Sequence, residues 1–245
     1  MRRTIFLAGA TGAIGRRLVP ILVAGGWRVI GMTRSPAKRT LLSALGASPV
    51  VVDVFDGPAL GRTIAETRPD IVVHQLTDLP PGLDPARMAE AGPRNARIRD
   101  EGTRNLVSAA VAGGVRRLVA QSIAFAYTDG PLPHGEQDKL AIDAEGRAGV
   151  TARGVASLER QVLEAPLEGL VLRYGRLYGP GTGSDAPSGA APLHVDAAAK
   201  AAELAVTDGA AGVYNVAEDD GTVSSEKAKR LLGWSADWRL PQPSL

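Results

Sequence analysis

Cysteine is absent from this chain. Disulfides, thiolate nucleophiles and cysteine metal ligands are therefore excluded. The absence agrees with a reducing, cytoplasmic compartment. Histidine is scarce: His74, His134 and His194 are far apart, so no zinc site and no metal ligand is expected. Aromatic residues are only 4% of the chain, and its basic pairs, Arg16-Arg17 and Arg116-Arg117, are scattered. A nucleic-acid site needs bases stacked on rings and a dense basic surface, so nucleic acid is not an expected partner. An excess of one charge is also missing, since 28 Lys and Arg face 26 Asp and Glu, leaving +2. No apolar run reaches the ~18 residues of a membrane helix, so no membrane partner is expected. The basic start, Met1-Arg2-Arg3-Thr4, precedes an apolar stretch that stops at Gly9, too short for a secretory signal.

What remains is a chain of 245 residues, 44% of them hydrophobic, enough for one large domain with a substantial core. Short apolar runs alternate with segments of helical periodicity. Strands are expected at Thr4–Ala8, Arg28–Met32, Pro49–Val54, Asp70–His74, Arg117–Gln121 and Leu170–Tyr174. Helices are expected at Ala13–Ala24, Pro36–Leu45, Ala59–Thr67, Glu101–Ala112 and Ala152–Glu164. Leu79–Ala91, rich in proline and glycine, and the polar Pro131–Gly149 read as loops. Past Tyr178 the composition shifts to glycine, proline and alanine. A helix at Val195–Thr207, a strand at Gly212–Val216 and a helix at Ser225–Leu232 follow. The pattern predicts an α/β fold, a doubly wound parallel sheet with helices on both faces.

Gly9-Ala10-Thr11-Gly12-Ala13-Ile14-Gly15 joins the first strand to the first helix. In that context the three glycines are a dinucleotide signature. Gly9 permits the sharp turn, Gly12 the approach of backbone to a pyrophosphate, and Gly15 close packing of helix on strand. The second strand ends at Thr33-Arg34-Ser35, beside the expected adenosine ribose. An acidic residue there would accept from a free 2′-hydroxyl, whereas Arg34, aided by Lys38 or Arg39, pairs with a 2′-phosphate. NADP is thus the expected cofactor, with NAD as the alternative. Asp53-Val54 follows the third strand, where the carboxylate either meets the adenine amino group or caps the next loop.

These residues resemble the extended short-chain dehydrogenase/reductase superfamily, in its NAD-dependent epimerase/dehydratase group. The glycine turn is similar to its fingerprint, Val72-Val73-His74-Gln75-Leu76 to its fourth strand, and Gly102-Thr103-Arg104-Asn105-Leu106 to its Gly-Thr-x-Asn-Leu helix. Arg173 through Tyr178-Gly179-Pro180-Gly181 resembles the segment beside the nicotinamide, and His194-Val195-Asp196 a C-terminal motif. The resemblance implies a Rossmann domain over 1–180 and an abbreviated substrate-binding appendage over 181–245. It implies that Gln75, Leu76 and Tyr174 line the cofactor and that Ser122 falls at a catalytic serine. A nucleotide-sugar substrate needs a larger C-terminal part, which weighs against one here. The family's Tyr-x-x-x-Lys dyad is missing: Pro131, Tyr178, Thr182 and Glu218 stand four residues after the four tyrosines. Counted from Glu159, the dyad positions hold Thr151 and Val155.

Hydride transfer still needs a group to protonate the acceptor. Ser122 is the first candidate and Tyr127, five residues on, the second. The expected function is nicotinamide-dependent oxidation, reduction or epimerase-like chemistry on a small carbonyl or hydroxyl compound. A dehydratase or isomerase using the cofactor transiently is a variant of it. The alternative is a non-catalytic NADP(H)-binding sensor or scaffold. A homodimer is expected through Glu101–Ala112 and Ala152–Glu164, whose outward faces are read as carrying Val111, Leu158 and Val162.

Overall fold

The computed structural model describes residues 3–241. Its strands and helices follow from one requirement: an apolar strand must be covered on both faces. All five residues of β1 (Thr4–Ala8) are buried. Ile5 and Leu7 enter one core and Phe6 and Ala8 the other, because successive side chains leave opposite faces of a strand. In chain order α1 (Ala13–Ala24), β2 (Arg28–Thr33), α2 (Arg39–Ala44), β3 (Ser48–Val51), α3 (Gly57–Thr67) and β4 (Ile71–His74) follow. Then come α4 (Met88–Arg97), α5 (Thr103–Ala112), β5 (Arg117–Ile123), α6 (Gly146–Glu164) and β6 (Glu168–Tyr174). Two short strands, β7 (Arg176–Tyr178) and β8 (Pro192–His194), pair with each other. The chain continues through α7 (Val195–Thr207), β9 (Gly212–Val216) and α8 (Glu226–Leu232).

Among the described residues the main sheet has seven strands, all parallel, in the order β3-β2-β1-β4-β5-β6-β9. The doubly wound α/β fold read from the sequence is therefore present. The order reverses between β1 and β4, which opens a crevice at the carboxyl ends of those strands. Helices α1, α7 and α8 cover one face, while α3, α5 and α6 cover the other. Six alanines of α7 are buried, from Ala197 to Ala205, and their small side chains let it lie close against α1. Asp56 caps α3 by accepting from the Ala59 amide at 2.9 Å. Among the described residues no helix is long and apolar enough to cross a membrane.

Three expectations change. Leu79–Ala91 is not all loop: α4 starts at Met88 and runs into α5 through one π-helical turn, Ile98–Gly102. Pro93 and Gly92 inside α4 hid it, since both are poor helix formers. Helix α6 starts at Gly146, earlier than its apolar periodicity. Leu158 and Val162 do not face outward; they are buried against β5 and β6, and only Val111 of the three is exposed. Residues after 180 supply β9, part of the helical cover, and β8, the parallel partner of β7.

The π turn is tied to β4 by His74. The Leu76 amide donates to His74 Nδ1 at 3.2 Å, which places the ring proton on Nε2. Nε2 donates to Thr103 Oγ1 at 3.0 Å, and Thr103 Oγ1 donates to the Ile98 carbonyl at 3.4 Å. Burial, helped by the Arg99 charge, pulls the His74 pKa from 6.5 to about 4. The folded form refuses a proton that the unfolded chain accepts. This contribution to stability is therefore complete above about pH 6.5 and declines as the pH falls toward about 4. We expect unfolding free energy to drop through that window by about 3 kcal/mol at most from this group. His74→Asn, which keeps an acceptor near the Nδ1 position, should flatten the drop in urea titrations. Identical pH slopes for the two proteins would refute the assignment.

Candidate functional site

A cleft of about 950 Å³ lies along the carboxyl ends of the strands. The glycine turn forms part of its wall, with Gly9, Thr11, Gly12, Ala13 and Ile14 lining it. Gly9 has φ +87°, and a Cβ there would overlap the Gln75 carbonyl. Gly15 does not line the cleft. A Cβ at this position would overlap Gly9 and lie 2.7 Å from Ala10, so it permits β1 and α1 to touch. Gly12 is the N-cap of α1, and no side chain caps this helix. Its first amides thus open on the cleft with the positive end of the helix dipole behind them.

Because β2 and β3 lie to one side of β1 and β4 to β6 on the other, the cleft has two chemically distinct ends. On the β2 side it is lined by Thr33, Arg34, Ser35, Asp53 and Val54. The Ser35 amide donates to Thr33 Oγ1 at 3.1 Å, which shapes the turn that carries Arg34. Arg34 Nη2 donates to Asp78 at 3.1 Å, and Arg94 also pairs with Asp78 at 3.2 Å. Asp53 accepts from the Phe55 amide at 3.0 Å, so it makes the loop contact that was one of its two readings. At the middle stand Gln75, Leu76 and Tyr174. Gln75 Nε2 donates to the Tyr174 hydroxyl at 3.3 Å. Gln75 Oε1 is buried and has no partner among the described residues. A buried, unpartnered acceptor beside an uncapped helix start suits a ligand that brings donors and phosphate charge, as a dinucleotide does. Burial, only partly countered by Gln75, pushes the Tyr174 hydroxyl above its ordinary range, so it stays protonated.

On the β5 side the lining includes Gln121, Ser122, Ile123 and Thr151. Ser122 Oγ donates to Glu159 Oε1 at 2.7 Å. Arg173 grips the same carboxylate with both ends of its fork, at 2.8 and 2.6 Å. Burial opposes the Arg173 charge, but the hydrogen bonds and charge of Glu159 outweigh it and hold its pKa above the usual value. Arg173 also donates to the Tyr127 hydroxyl at 2.9 Å, and that hydroxyl donates to Asn215 at 2.6 Å. Tyr127 is thus linked to Ser122 through Arg173 and Glu159, but is not among the residues lining the cleft. Burial, partly offset by Arg173, raises its pKa as well. Of the two dyad positions, Thr151 lines the cleft, while Val155 is buried with Ile123, Ala126 and Ala152. His194 caps α7, its ring accepting from the Asp196 amide at 3.2 Å, with Tyr178 edge-on at 5.1 Å.

Two cleft residues escaped the sequence reading. Asp78 lies between the expected fourth strand, which ends at His74, and the loop expected from Leu79, in residues given no reading. Arg99, one arginine among 23, is brought inward by the π turn and is only 8% exposed. No periodicity rule places a residue in such a turn.

A family model described as NAD(P)H-binding matches residues 9–185. A 3-diazoavenalumate denitrifying reductase from a Streptomyces species is 39% identical over 271 aligned positions, spanning 94% of this chain and 87% of the relative. Among solved structures, UDP-glucose 4-epimerase from Thermotoga maritima superposes with a TM-score of 0.76 at 19% identity, covering 96% of this chain and 94% of that one. UDP-glucuronic acid 4-epimerase from Bacillus cereus, solved with UDP-glucuronic acid and NAD, gives 0.77 at 15% identity, covering 96% and 95%. At such identities the epimerases share the fold.

The Arg173–Glu159 pair is buried, with side chains 5% and 6% exposed. Arg173→Met leaves the carboxylate in low dielectric without its cation, and should cost about 3–5 kcal/mol. Urea unfolding measures the loss. A change under about 1 kcal/mol would show that Glu159 does not depend on this partner.

Proposed function

The chain belongs to the NAD(P)H-binding family, and on that premise we propose that it is an NADP(H)-dependent, cytoplasmic oxidoreductase that reduces a small carbonyl compound or oxidises the corresponding hydroxyl compound. The uncapped start of α1, opening on a cleft whose far end carries Ser122 and Thr151, is the observation that supports this reading most directly. Gly12, Ala13 and Ile14 would hold the pyrophosphate with backbone amides, and Gln75 Oε1 would accept from the cofactor or substrate. When bound, the nicotinamide supplies a hydride. The similarity to a reductase over nearly the whole chain favours net reduction over epimerisation. Residues 181–241 are proposed as the substrate-facing part, through Gly181, Thr182, Ser184 and Ser188 in the cleft wall.

Arg34 and Lys38 are proposed to select the 2′-phosphate. The Arg34 side chain is 62% exposed and its bond to Asp78 is one that a phosphate, carrying more charge and more acceptors, can replace. Arg34→Ala should weaken NADPH binding about 10- to 100-fold and change NADH affinity by less than about twofold. Fluorescence titration with both cofactors checks this, and equal losses for the two would defeat it.

Thr151 would donate to the acceptor atom of the substrate, and Ser122, whose proton goes to Glu159 in the free chain, would turn it onto that atom when substrate binds. Tyr127, Arg173 and Glu159 are positioning residues that orient Ser122. Ser122→Ala should lower turnover on a panel of small carbonyl compounds about 100-fold and leave NADPH affinity unchanged. Unaltered turnover would remove Ser122 from this role. The missing Tyr-x-x-x-Lys pair favours a second reading, an NADP(H) sensor without catalysis. Tight NADPH binding with no turnover across the panel would establish it.

A further inference from the structure

Arg99 is an ionised side chain that the fold buries without giving it a partner. It is 8% exposed, lines the cleft, and among the described residues makes no hydrogen bond and no ion pair. Glu159 supports its charge from beyond ion-pair distance, while burial pulls its pKa down to about 10. Glu159 is already held by both ends of Arg173 and by Ser122. His74, the other titratable group that feels Arg99, is kept neutral. Arg99 is thus left with Glu159 as a distant counter-charge, while Arg173 holds that carboxylate in direct contact. A buried, unpaired cation is costly, and the cost is recovered when an anion arrives.

The location narrows the anion. Arg99 lies against α6 at Gly154, where an added Cβ would stand 3.5 Å from Arg99 Cδ. Gly154 is three residues after Thr151, so the guanidinium belongs to the β5 side of the cleft with Ser122. The helix start and Arg34, which suit phosphates, line the β2 side. Around the cleft the wall also includes Leu79, Leu83 and Phe125, apolar side chains 41%, 36% and 38% exposed. We propose that Arg99 anchors the carboxylate of a substrate whose remainder is apolar or aromatic; the inference rests on this cleft being the reductase site described above.

Three acid and amide pairs of near-equal shape test it: benzoate with benzamide, cinnamate with cinnamamide, and 3-phenylpropionate with its amide. Each is titrated calorimetrically into the chain, both free and saturated with NADP⁺. The acid of at least one pair should bind at least about tenfold more tightly than its amide. Arg99→Gln should abolish that preference by weakening the acid about 10- to 100-fold, with the amide unchanged, and Arg99→Lys should keep part of it. The wild-type comparison and the lysine variant stand even if Arg99→Gln folds poorly. Equal binding of acid and amide in every pair, or a preference that survives Arg99→Gln, overturns the inference. NADPH affinity separates the two sources of anion. Its loss by about tenfold in Arg99→Gln would place a cofactor phosphate on Arg99 and overturn the carboxylate anchor. Failure of the wild-type chain to bind NADPH would instead sink the cofactor reading, while acid preference in the free chain would still support the anchor.

Discussion

Taking the carboxylate of Glu159 out of water is expensive, and the fold meets that cost by assembling its reaction end around this one group. Arg173 reaches it from β6, Ser122 from β5, and α6 carries it. Tyr127 and Asn215 extend the same network to the loop after β5 and to β9. Strand pairing alone would leave these elements free to slide by small amounts. A fork-to-carboxylate contact tolerates little displacement, so it fixes where Ser122 sits in the cleft wall. The same arrangement leaves Arg99 without a close counter-charge, which gives that end of the cleft its affinity for an anion.

The other end depends on backbone rather than on charge. Gly9 and Gly15 bring β1, α1 and the end of β4 into contact closer than any side chain allows. That contact aims the first turn of α1 at the crevice where the strand order reverses. A site made of amides on a packed helix needs few particular side chains beyond its glycines. The fold that carries it is shared with epimerases only 19% and 15% identical to this chain. The β5 side is assembled from side chains on separate elements, and there this chain departs from the Tyr-x-x-x-Lys pattern.

The departure has a local structural consequence. Where the resemblance expects a phenol and an ammonium one turn apart on α6, Thr151 faces the cleft and Val155 packs inward. A buried cation of the cleft wall comes instead from the turn between α4 and α5. A π turn adds one residue to the helical ring, and so shifts which side chains point at α6. His74 and Thr103 take up a carbonyl of that turn, so the irregularity is held in place by hydrogen bonds.

Much of the fold was legible in the residue order. The periodicities of Ala13–Ala24, Val195–Thr207 and Gly212–Val216 match the elements to the residue, because short-range hydrophobic spacing and glycine stops act locally. The glycine turn and the Thr33-Arg34-Ser35 corner were legible for the same reason. Helix α4 was not, since Pro93 and Gly92 contradict its propensity and packing against α6 outweighs them. The buried faces of Leu158 and Val162 were not, because periodicity defines a stripe on a helix without saying which neighbour it meets. Arg34 holding Asp78 and Tyr127 drawn to Arg173 join residues dozens of positions apart, and the same packing leaves Arg99 without an ion-pair partner. Their roles follow from which charges share a low-dielectric space, and only the packed chain sets those distances.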